Sequence, residues 1–291
     1  MHWLDPLVPL SFGAAGYHVH ARRFAPLPDA TGRVVAVTGA NAGLGLATTH
    51  ALVAAGAEVI AVCRSPERAE AALGGLERVH VHIADLADLS SVRALAAALP
   101  RLDALVHNAG ALLDTLQRTA DGLETTTACH LVGPHVLTRA IAERVDRVVF
   151  VSSGGMYLSR LSLRQLQSPR EPFDGVTQYA IAKRAQVLLP GLYAEHVSNA
   201  PRVEVMHPGW ADTPGVVKSL PRFRRLTRRI LRTPAQGADT AVWLSLAELP
   251  PHAEGIWLDR RLQPLAPIPG TATPPTSRAA LWAWLESHVV D

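Results

Sequence analysis

The fold is decided by the stretch Val34-Val35-Ala36-Val37-Thr38-Gly39-Ala40-Asn41-Ala42-Gly43-Leu44-Gly45, which runs into an alanine- and leucine-rich segment at 46–55. The β-branched start predicts a buried strand, and the segment after the glycines predicts a helix. A glycine-rich turn in this position presents unpaired backbone N–H groups and the positive end of the helix dipole to a pyrophosphate. The stretch therefore predicts a dinucleotide site with these contacts: Gly39, Asn41, Gly43, Leu44 and Gly45.

The alternation of strand and helix continues along the chain from Arg33. Short runs rich in β-branched residues predict strands at 34–38, 58–62, 79–83, 104–107, 147–151, 202–206 and 255–258. Helical stretches between consecutive strands favour a parallel sheet that is covered by helices on both faces. We therefore predict the α/β class, with one Rossmann domain that has a doubly wound parallel seven-stranded sheet.

The domain limits follow from changes in composition. A length of 291 residues with 48% hydrophobic content suits one large core. Residues 1–32 form an N-terminal extension, and the Rossmann domain spans 33–262, with a basic, substrate-covering segment at 214–233. Residues 263–291 form a proline-rich tail and a closing helix, for which Ser277 is the predicted cap.

Composition excludes several function classes. The two cysteines, Cys63 and Cys129, form neither a metal-spaced pair nor a disulfide framework, which favours a reducing cytoplasm. No window reaches the roughly 18 apolar residues of a membrane span. The histidine pairs at 18/20 and 80/82 lack a third ligand, so no metal site is predicted. The basic residues lack interleaved aromatics, which argues against nucleic acid as a partner.

The choice of nicotinamide cofactor depends on Arg64, which directly follows the second predicted strand. A carboxylate is typical at this place when a free ribose hydroxyl is bound, whereas a guanidinium suits a 2′-phosphate. The alternative is a solvated arginine that merely starts a helix. We predict NADP(H) as the preferred cofactor, with NAD(H) possible, and further contacts after the third and fourth strands: Asp85, Leu86, Asn108, Ala109 and Gly110.

The sharpest chemical signal is Gln178-Tyr179-Ala180-Ile181-Ala182-Lys183, in which tyrosine and lysine stand four apart in a helical stretch. Four residues along a helix place both side chains on one face. A tyrosine titrates near 10 and is a sluggish acid–base group, unless a nearby ammonium stabilises its anion. Of the 28 lysine and arginine residues only Lys183 and Lys218 are lysines. The presence of lysine instead of arginine at 183 therefore calls for a chemical explanation.

Two more strand ends carry candidate residues. The fifth strand ends at Val151-Ser152-Ser153, where a hydroxyl could donate a hydrogen bond to a substrate carbonyl. The sixth strand is followed by His-Pro-Gly-Trp-Ala-Asp-Thr at 207–213. There the Pro208-Gly209 turn could lie against a nicotinamide, and Thr213 could bond its carboxamide.

Together these residues resemble the short-chain dehydrogenase/reductase family over about 33–259. In that family a glycine-rich turn, an Asn-Ala-Gly segment, a serine, a Tyr-x-x-x-Lys pair and a Pro-Gly-x-x-x-Thr segment occur in this order. The spacing from Ser153 to Tyr179 is similar to that of the retinol dehydrogenase and carbonyl reductase branches. The stretches at 207–216 and 236–240 and the late Asp259-Arg260 resemble the branch called dehydrogenase/reductase member 12.

The resemblance implies an NAD(P)-dependent oxidoreductase that acts on CH–OH groups, with Ser153, rather than Ser152, as the serine that joins Tyr179 and Lys183. One position departs from the family pattern, because His130 stands where an asparagine usually holds a water that relays protons to the lysine. His130 either replaces that asparagine as a proton carrier, or the relay is absent and turnover is slow.

The substrate is suggested by the basic segment, where arginines and Lys218 alternate with apolar residues at near-helical intervals across 218–232. Such a helix contacts an anionic membrane surface, meets an acidic substrate, or is a solvated basic lid whose apolar side simply closes the active site. We expect a small-molecule carbonyl or alcohol substrate, with lipid-derived compounds as one candidate class. We also expect a cytoplasmic enzyme, for which peripheral membrane contact through 218–232 and homo-oligomers stay open alternatives. The competing hypothesis is a dinucleotide-binding regulatory or scaffolding protein with little catalysis.

Overall fold

The computed structural model describes residues 11–213, 217 and 221–289. Over these residues the chain forms one eight-stranded sheet with the order β3-β2-β1-β4-β5-β6-β7-β8. The strands are β1 Val34–Thr38, β2 Glu58–Cys63, β3 Val79–Ile83, β4 Leu102–His107, β5 Val145–Val151, β6 Arg202–Met206, β7 Ile256–Leu258 and β8 Arg261–Gln263. The strands from β1 to β7 pair in parallel, which confirms the doubly wound sheet.

Helices connect the strands and cover both faces of the sheet. Up to β5 they are α1 Ala14–Ala21, α2 Gly43–Ala54, α3 Pro66–Leu73, α4 Leu89–Ala98, α5 Thr125–Thr127 and α6 Gly133–Ala140, with a π-helical turn at Ala128–Val132 between the last two. After β5 they are α7 Leu163–Gln167, α8 Gly175–Gln186, α9 Leu189–His196, α10 Pro221–Thr227, α11 Pro234–Leu246 and α12 Pro275–Glu286. Short 3-10 turns lie at Ala142–Arg144 and Gly154–Leu158.

The core consists of two apolar layers, one on each face of the sheet. Alternate residues of a strand point to opposite faces, so Ala36 joins the layer of α4, α6 and α8, while Val35 and Val37 join the layer of α2 and α11. The central strands are apolar on both faces because helices cover both, which explains their near-continuous hydrophobic runs.

The topology places the site at one edge of the sheet. β1 pairs with β2 on one side and with β4 on the other, so the chain direction across the sheet reverses between β1 and β4. In sheets of this kind ligands bind beyond the carboxyl ends of the strands at that reversal. The turn after β1 and the segment after β4 are therefore neighbours.

The eighth strand corrects the prediction of seven. β8 pairs antiparallel with β7 through the two-residue turn Asp259-Arg260, whose φ angles are 53° and 55°. Two-residue hairpin turns of this kind usually carry Asn-Gly or Asp-Gly, because both central residues need a positive φ, so Arg260 takes a place that glycine usually holds. Two residues of helix α11 stabilise this turn. The Arg260 guanidinium donates to Asp239 at 2.8 Å, and the Arg260 backbone N–H donates to Thr240 at 3.2 Å.

Two predicted helices are also corrected. The closing helix α12 begins at Pro275 with Pro274 at its N-cap, so Ser277 lies inside the helix and does not cap it. In the basic segment the described helix ends at Thr227, and Arg232 is 1% exposed, so Arg232 belongs to the interior and not to a basic surface. Lys218 lies outside the described residues.

The N-terminal extension is held by a buried ionic cluster. The Arg232 guanidinium pairs with both carboxylate oxygens of Asp259, at 2.5 and 2.9 Å, and Nδ1 of His20 lies 2.8 Å from Asp259 Oδ2. Burial alone would raise the pKa of Asp259, but the His20 hydrogen bond and the Arg232 charge outweigh it and hold that pKa below its usual range. The cluster therefore joins α1, the β7–β8 turn and the end of the basic segment.

No helix in the described parts of the chain is long and apolar enough to cross a membrane. Over the same parts, no three histidine, cysteine or acidic side chains are grouped so that they could hold a metal ion.

We predict that Asp259→Asn lowers the free energy of unfolding by about 3 kcal/mol at pH 7, because it leaves the Arg232 guanidinium buried without its counter-charge. Asparagine is compatible with the positive φ of this turn, so the loss reports the charge rather than the backbone. Urea denaturation measures the change. Asp146→Asn removes a 52% exposed partner of Arg101 and is the control, expected to cost about 0–1 kcal/mol. Equal effects in both variants would contradict the account.

The contribution of Asp259 to the free energy of unfolding should also depend on pH in a defined direction. The pKa of Asp259 is lower in the folded state, so its stabilisation is present above the unfolded pKa of about 4 and is lost as the pH falls through the folded value. The stability difference between the native protein and Asp259→Asn should therefore shrink in acid.

Candidate active site

Helix α8 carries Tyr179 and Lys183 and is fastened to the end of β5. Asp174 caps the helix by accepting hydrogen bonds from the N–H groups of Val176 and Thr177. The buried ammonium Nζ of Lys183 donates to the Val151 carbonyl at 2.7 Å. The Ser152 hydroxyl donates in turn to the Lys183 carbonyl at 2.9 Å, so Ser152 holds the helix in place.

The three predicted catalytic residues lie together. Ser153 lies two residues after the end of β5, and its side chain is close enough to that of Tyr179 to influence the pKa of the phenol. Nζ of Lys183 lies 5.5 Å from the centroid of the Tyr179 ring. Two hydroxyls and an amine thus meet at the carboxyl edge of the sheet, where a carbonyl oxygen could contact both hydroxyls.

Burial sets the protonation states of this group. It raises the pKa of Tyr179, although the hydrogen bond with Ser153 opposes the shift, and it lowers the pKa of Lys183 to about 7. The phenol is therefore protonated at neutral pH, while Lys183 titrates in that range. A nearby anion would favour the ammonium form of Lys183, which would in turn favour ionisation of the phenol.

His130 lies beside Tyr179, in the π-helical turn. Its ring meets the Tyr179 ring edge-on at 5.2 Å, and its Nε2 lies 3.0 Å from the Ala111 nitrogen and 2.8 Å from the Ala111 oxygen. Gly110 leaves room for the imidazole, since a Cβ there would lie 2.2 Å from His130 Cε1. Burial, followed by the charge of Lys183, lowers the pKa of His130 well below 6.5, so the ring is neutral.

The backbone of the same turn is also engaged. The carbonyl of His130 accepts a hydrogen bond from Nε2 of Gln186, at 2.6 Å. The Gln186 amide thus occupies the oxygen that a π-helical turn frees from the regular helical pattern. Gln186 was not among the predicted site residues, because an amide seven residues after Tyr179 has no distinctive spacing.

The glycine turn fits a dinucleotide. Gly39 and Gly43 have φ angles of +67° and +54°, and a Cβ on Gly45 would lie 2.1 Å from the Gly39 carbonyl oxygen. Ala42 occupies the N-cap of α2, so no side chain caps the first N–H groups of that helix. A pyrophosphate requires a backbone that it can approach closely and N–H groups that no side chain caps, and this turn offers both. Asn41 lies within the turn, and Leu44 packs against Gly237 of α11.

Thr38, which was not among the predicted site residues, links this turn to the segment after β4. Its hydroxyl oxygen accepts from the N–H groups of Asn108 and Ala109, at 3.1 and 3.0 Å. The Asn108 amide donates to the carbonyls of Thr38 and Gly39, at 3.0 and 3.3 Å. The side chain of Asn108 therefore stabilises the glycine turn. The sequence signal for the role of Thr38 is its position directly before the first glycine of that turn.

Arg64 follows β2 at the same edge of the sheet. Its side chain is 72% exposed, and its guanidinium lies 4.0 Å from the carboxylate of Asp85. The other oxygen of Asp85 accepts from the Ala87 N–H at 2.9 Å, and Leu86 is buried against Gly133. Arg64 thus lies at the surface beside Asp85, as a residue that reads a ribose substituent would.

The turn after β6 closes the other side of the site. Gly209 has a φ of +69°, and a Cβ there would lie 2.5 Å from Nε of Arg232. Arg232 also donates to the Pro208 carbonyl at 3.4 Å. Thr213 follows shortly after Ala211, which pairs with Arg232 in a parallel bridge. The Pro-Gly turn is therefore held by the buried cluster around Asp259.

Comparison with known proteins decides the family. The model of the short chain dehydrogenase family matches residues 33–222. The chain belongs to this family. The human protein named dehydrogenase/reductase SDR family member 12 is 38% identical over 250 residues, which cover 80% of this chain and 78% of that protein. Human retinol dehydrogenase 14 is 31% identical over 262 residues, which cover 77% of this chain and 76% of that protein.

The fold is also shared with a solved structure. A short-chain dehydrogenase from Burkholderia cenocepacia in complex with NADP superposes with a TM-score of 0.60 at 26% identity, covering 75% of this chain and 92% of that one. The Rossmann fold and the resemblance to both branches are confirmed. The protein is an NAD(P)-dependent oxidoreductase.

Proposed function

We propose that the protein interconverts a carbonyl and an alcohol at a Ser153–Tyr179–Lys183 centre and prefers NADP(H). The observation that carries the proposal is that the Ser153 and Tyr179 side chains meet beside the buried Lys183, whose Nζ lies 5.5 Å from the centroid of the Tyr179 ring. A bound nicotinamide supplies or accepts the hydride. In carbonyl reduction, the Ser153 hydroxyl orients the substrate oxygen by a hydrogen bond, and the Tyr179 hydroxyl transfers a proton to it.

Lys183 has two roles in this proposal. Its short, rotatable ammonium head suits ribose hydroxyls, which a planar guanidinium would fit less well. Its charge lowers the free energy of the Tyr179 phenolate that proton transfer leaves behind. The hydrogen bond to Val151 keeps Nζ close to the ring during both tasks.

His130 has a positioning role in this proposal and does not carry protons. Its ring is neutral, and Nε2 faces the backbone of Ala111. Its edge supports the Tyr179 ring, and its bulk supports the segment after β4. The remaining predicted contacts hold the dinucleotide: Gly39, Asn41, Gly43, Leu44, Gly45, Asp85, Leu86, Asn108, Ala109, Gly110, Pro208, Gly209 and Thr213.

Exposed apolar groups in the basic segment support a lipophilic substrate. Leu226 is 82% exposed and Ile230 is 39% exposed, and the neighbouring side chains of Arg225, Arg228 and Arg229 are also exposed. Arginines around exposed aliphatic side chains suit either a lid over an apolar substrate or contact with an anionic lipid surface. The retinol dehydrogenase name of one relative points to the same class of substrate.

We predict that Tyr179→Phe lowers the turnover number for carbonyl reduction by at least about a hundredfold, because it removes the proton donor. NADPH affinity should stay within about threefold, since the ring and its packing remain. Steady-state NADPH oxidation with a panel of aldehydes and ketones measures the first effect, and fluorescence titration measures the second.

The matched control is Tyr17→Phe, which removes a hydroxyl from a half-buried ring of α1 and leaves the ring in place. It should leave both measurements unchanged. Full turnover in Tyr179→Phe would rule out the assignment. A native protein that binds NADPH and reduces no member of the panel would favour the regulatory alternative.

Cofactor preference is tested by Arg64→Ala. Loss of one charge-assisted contact to the 2′-phosphate should raise the KM for NADPH by about tenfold or more, while the KM for NADH stays nearly constant. Arg101→Ala is the control, because Arg101 is 66% exposed and lies before β4, at the opposite end of that strand. An equal increase in the KM for NADPH and in the KM for NADH would show that Arg64 does not bind the 2′-phosphate.

A further inference from the structure

The N-terminal segment reaches the reaction centre at Phe12. A Cβ built on Gly154 would lie 2.8 Å from Cε2 of the Phe12 ring. Gly154 directly follows Ser153, so the ring lies against the backbone that presents the proposed substrate-orienting hydroxyl. Glycine at 154 is what allows this approach.

The same residue contacts the turn on the other side of the site. The Phe12 carbonyl accepts a hydrogen bond from the Trp210 N–H at 2.8 Å. The ring of Phe12 lies 4.6 Å from the ring of His207 and 6.1 Å from that of Trp210, both edge-on. These two residues flank Pro208-Gly209. Phe12 therefore bridges the two segments between which the carbonyl would bind.

The ring of Phe12 has aromatic neighbours. Tyr157 lies 6.1 Å from the Phe12 ring and 5.9 Å from that of His207. Burial, with a smaller contribution from Arg232, lowers the pKa of His207 to about 3, so this imidazole is neutral. Phe12 is only half-buried, so part of the residue is exposed. Such a surface binds flat apolar groups through offset and edge contacts.

The backbone on both sides of Phe12 is fixed by buried groups. The Arg232 guanidinium donates to the Ser11 carbonyl at 2.8 Å and to the Gly13 carbonyl at 3.2 Å. The N–H of Ala14 donates to the Ile230 carbonyl at 2.8 Å. Hydrogen bonds of this kind hold the ring in one place, and a site residue needs that positioning.

We propose that Phe12 is a specificity-determining residue, whose ring forms a wall of the substrate site and selects carbonyl compounds that carry a flat, apolar group next to the carbonyl carbon. The inference rests on the proposed function, because it takes the reacting carbonyl to lie beside Ser153 and Tyr179. It gives the N-terminal extension a place in substrate binding, 141 residues before Ser153 in the chain.

The test compares a flat aromatic aldehyde, 2-naphthaldehyde, with a small aliphatic one, butanal. Phe12→Ala should lower kcat/KM for 2-naphthaldehyde by about tenfold, mainly through KM, because the aromatic contact is lost. The value for butanal should stay within about twofold, since butanal has no ring to bind. Phe12→Leu, which keeps an apolar side chain at this place, should show a smaller loss for 2-naphthaldehyde.

Phe24→Ala is the matched control. It removes the same side chain from the same N-terminal extension, where Phe24 contacts Tyr17 and the Arg260 guanidinium instead of the reaction centre. Both aldehydes should keep their native kcat/KM in this variant. Thermal unfolding identifies the folded variants, and if Phe12→Ala does not fold, Phe12→Leu decides. Equal losses for the two aldehydes, or no loss for either, in a folded Phe12 variant would overturn the proposal.

A binding measurement separates this proposal from the proposed function. Calorimetric titration of 2-naphthaldehyde into protein saturated with NADP⁺ requires no turnover. Native protein and Phe24→Ala should bind this aldehyde about tenfold more tightly than Phe12→Ala does. If the native protein reduces neither aldehyde but Phe12→Ala still weakens the binding of 2-naphthaldehyde, the result supports Phe12 as a wall of the substrate site. The same result contradicts the catalytic proposal. Equal binding in all three proteins contradicts the wall, whatever the turnover.

Discussion

The hydrogen bond from the Lys183 ammonium to the Val151 carbonyl is the contact on which the proposed centre depends. It joins helix α8 to the last residue of β5, two residues before Ser153. The distance between the serine and the tyrosine is thereby set by the sheet and not by a flexible loop. The burial that fixes the position of Lys183 also lowers its pKa to about 7. Its position and its titration near neutral pH therefore have one physical cause. In an arginine-rich chain, the proposed centre explains why the position holds lysine, since a compact, rotatable ammonium suits ribose hydroxyls better than a planar guanidinium does.

A second buried charge, on Arg232, organises the opposite side of the site. Its guanidinium binds Asp259 and also carbonyls of the N-terminal segment and of the Pro-Gly turn. A buried ion pair contributes little net stability when compared with apolar packing, but it fixes relative orientation strongly, because either charge alone would be costly. The pair thus joins a segment that lies before the Rossmann domain in sequence to the edge of that domain in space.

The sequence predicted what depends on local pattern. The bounds of β1, β3 and β6 agree with the structure, and Tyr179 and Lys183 share a helix as the four-residue spacing required. What it missed depends on contacts between distant residues. The strand β8 follows a turn without glycine that is held by Asp239, and Arg232 has the same sequence signature as the exposed arginines around it. Phe12 carries no motif, so only the fold reveals that it adjoins Ser153.

The most direct test of the account is the pKa of Lys183. Because Lys183 and Lys218 are the only lysines, protein labelled with ¹³C at lysine Cε gives two resonances, and Lys218→Arg assigns them. The account predicts that Lys183 titrates at about 7 in the free protein and at a higher pH once NADPH is bound. A Lys183 resonance that titrates near the ordinary value of about 10.4 in the free protein would contradict it.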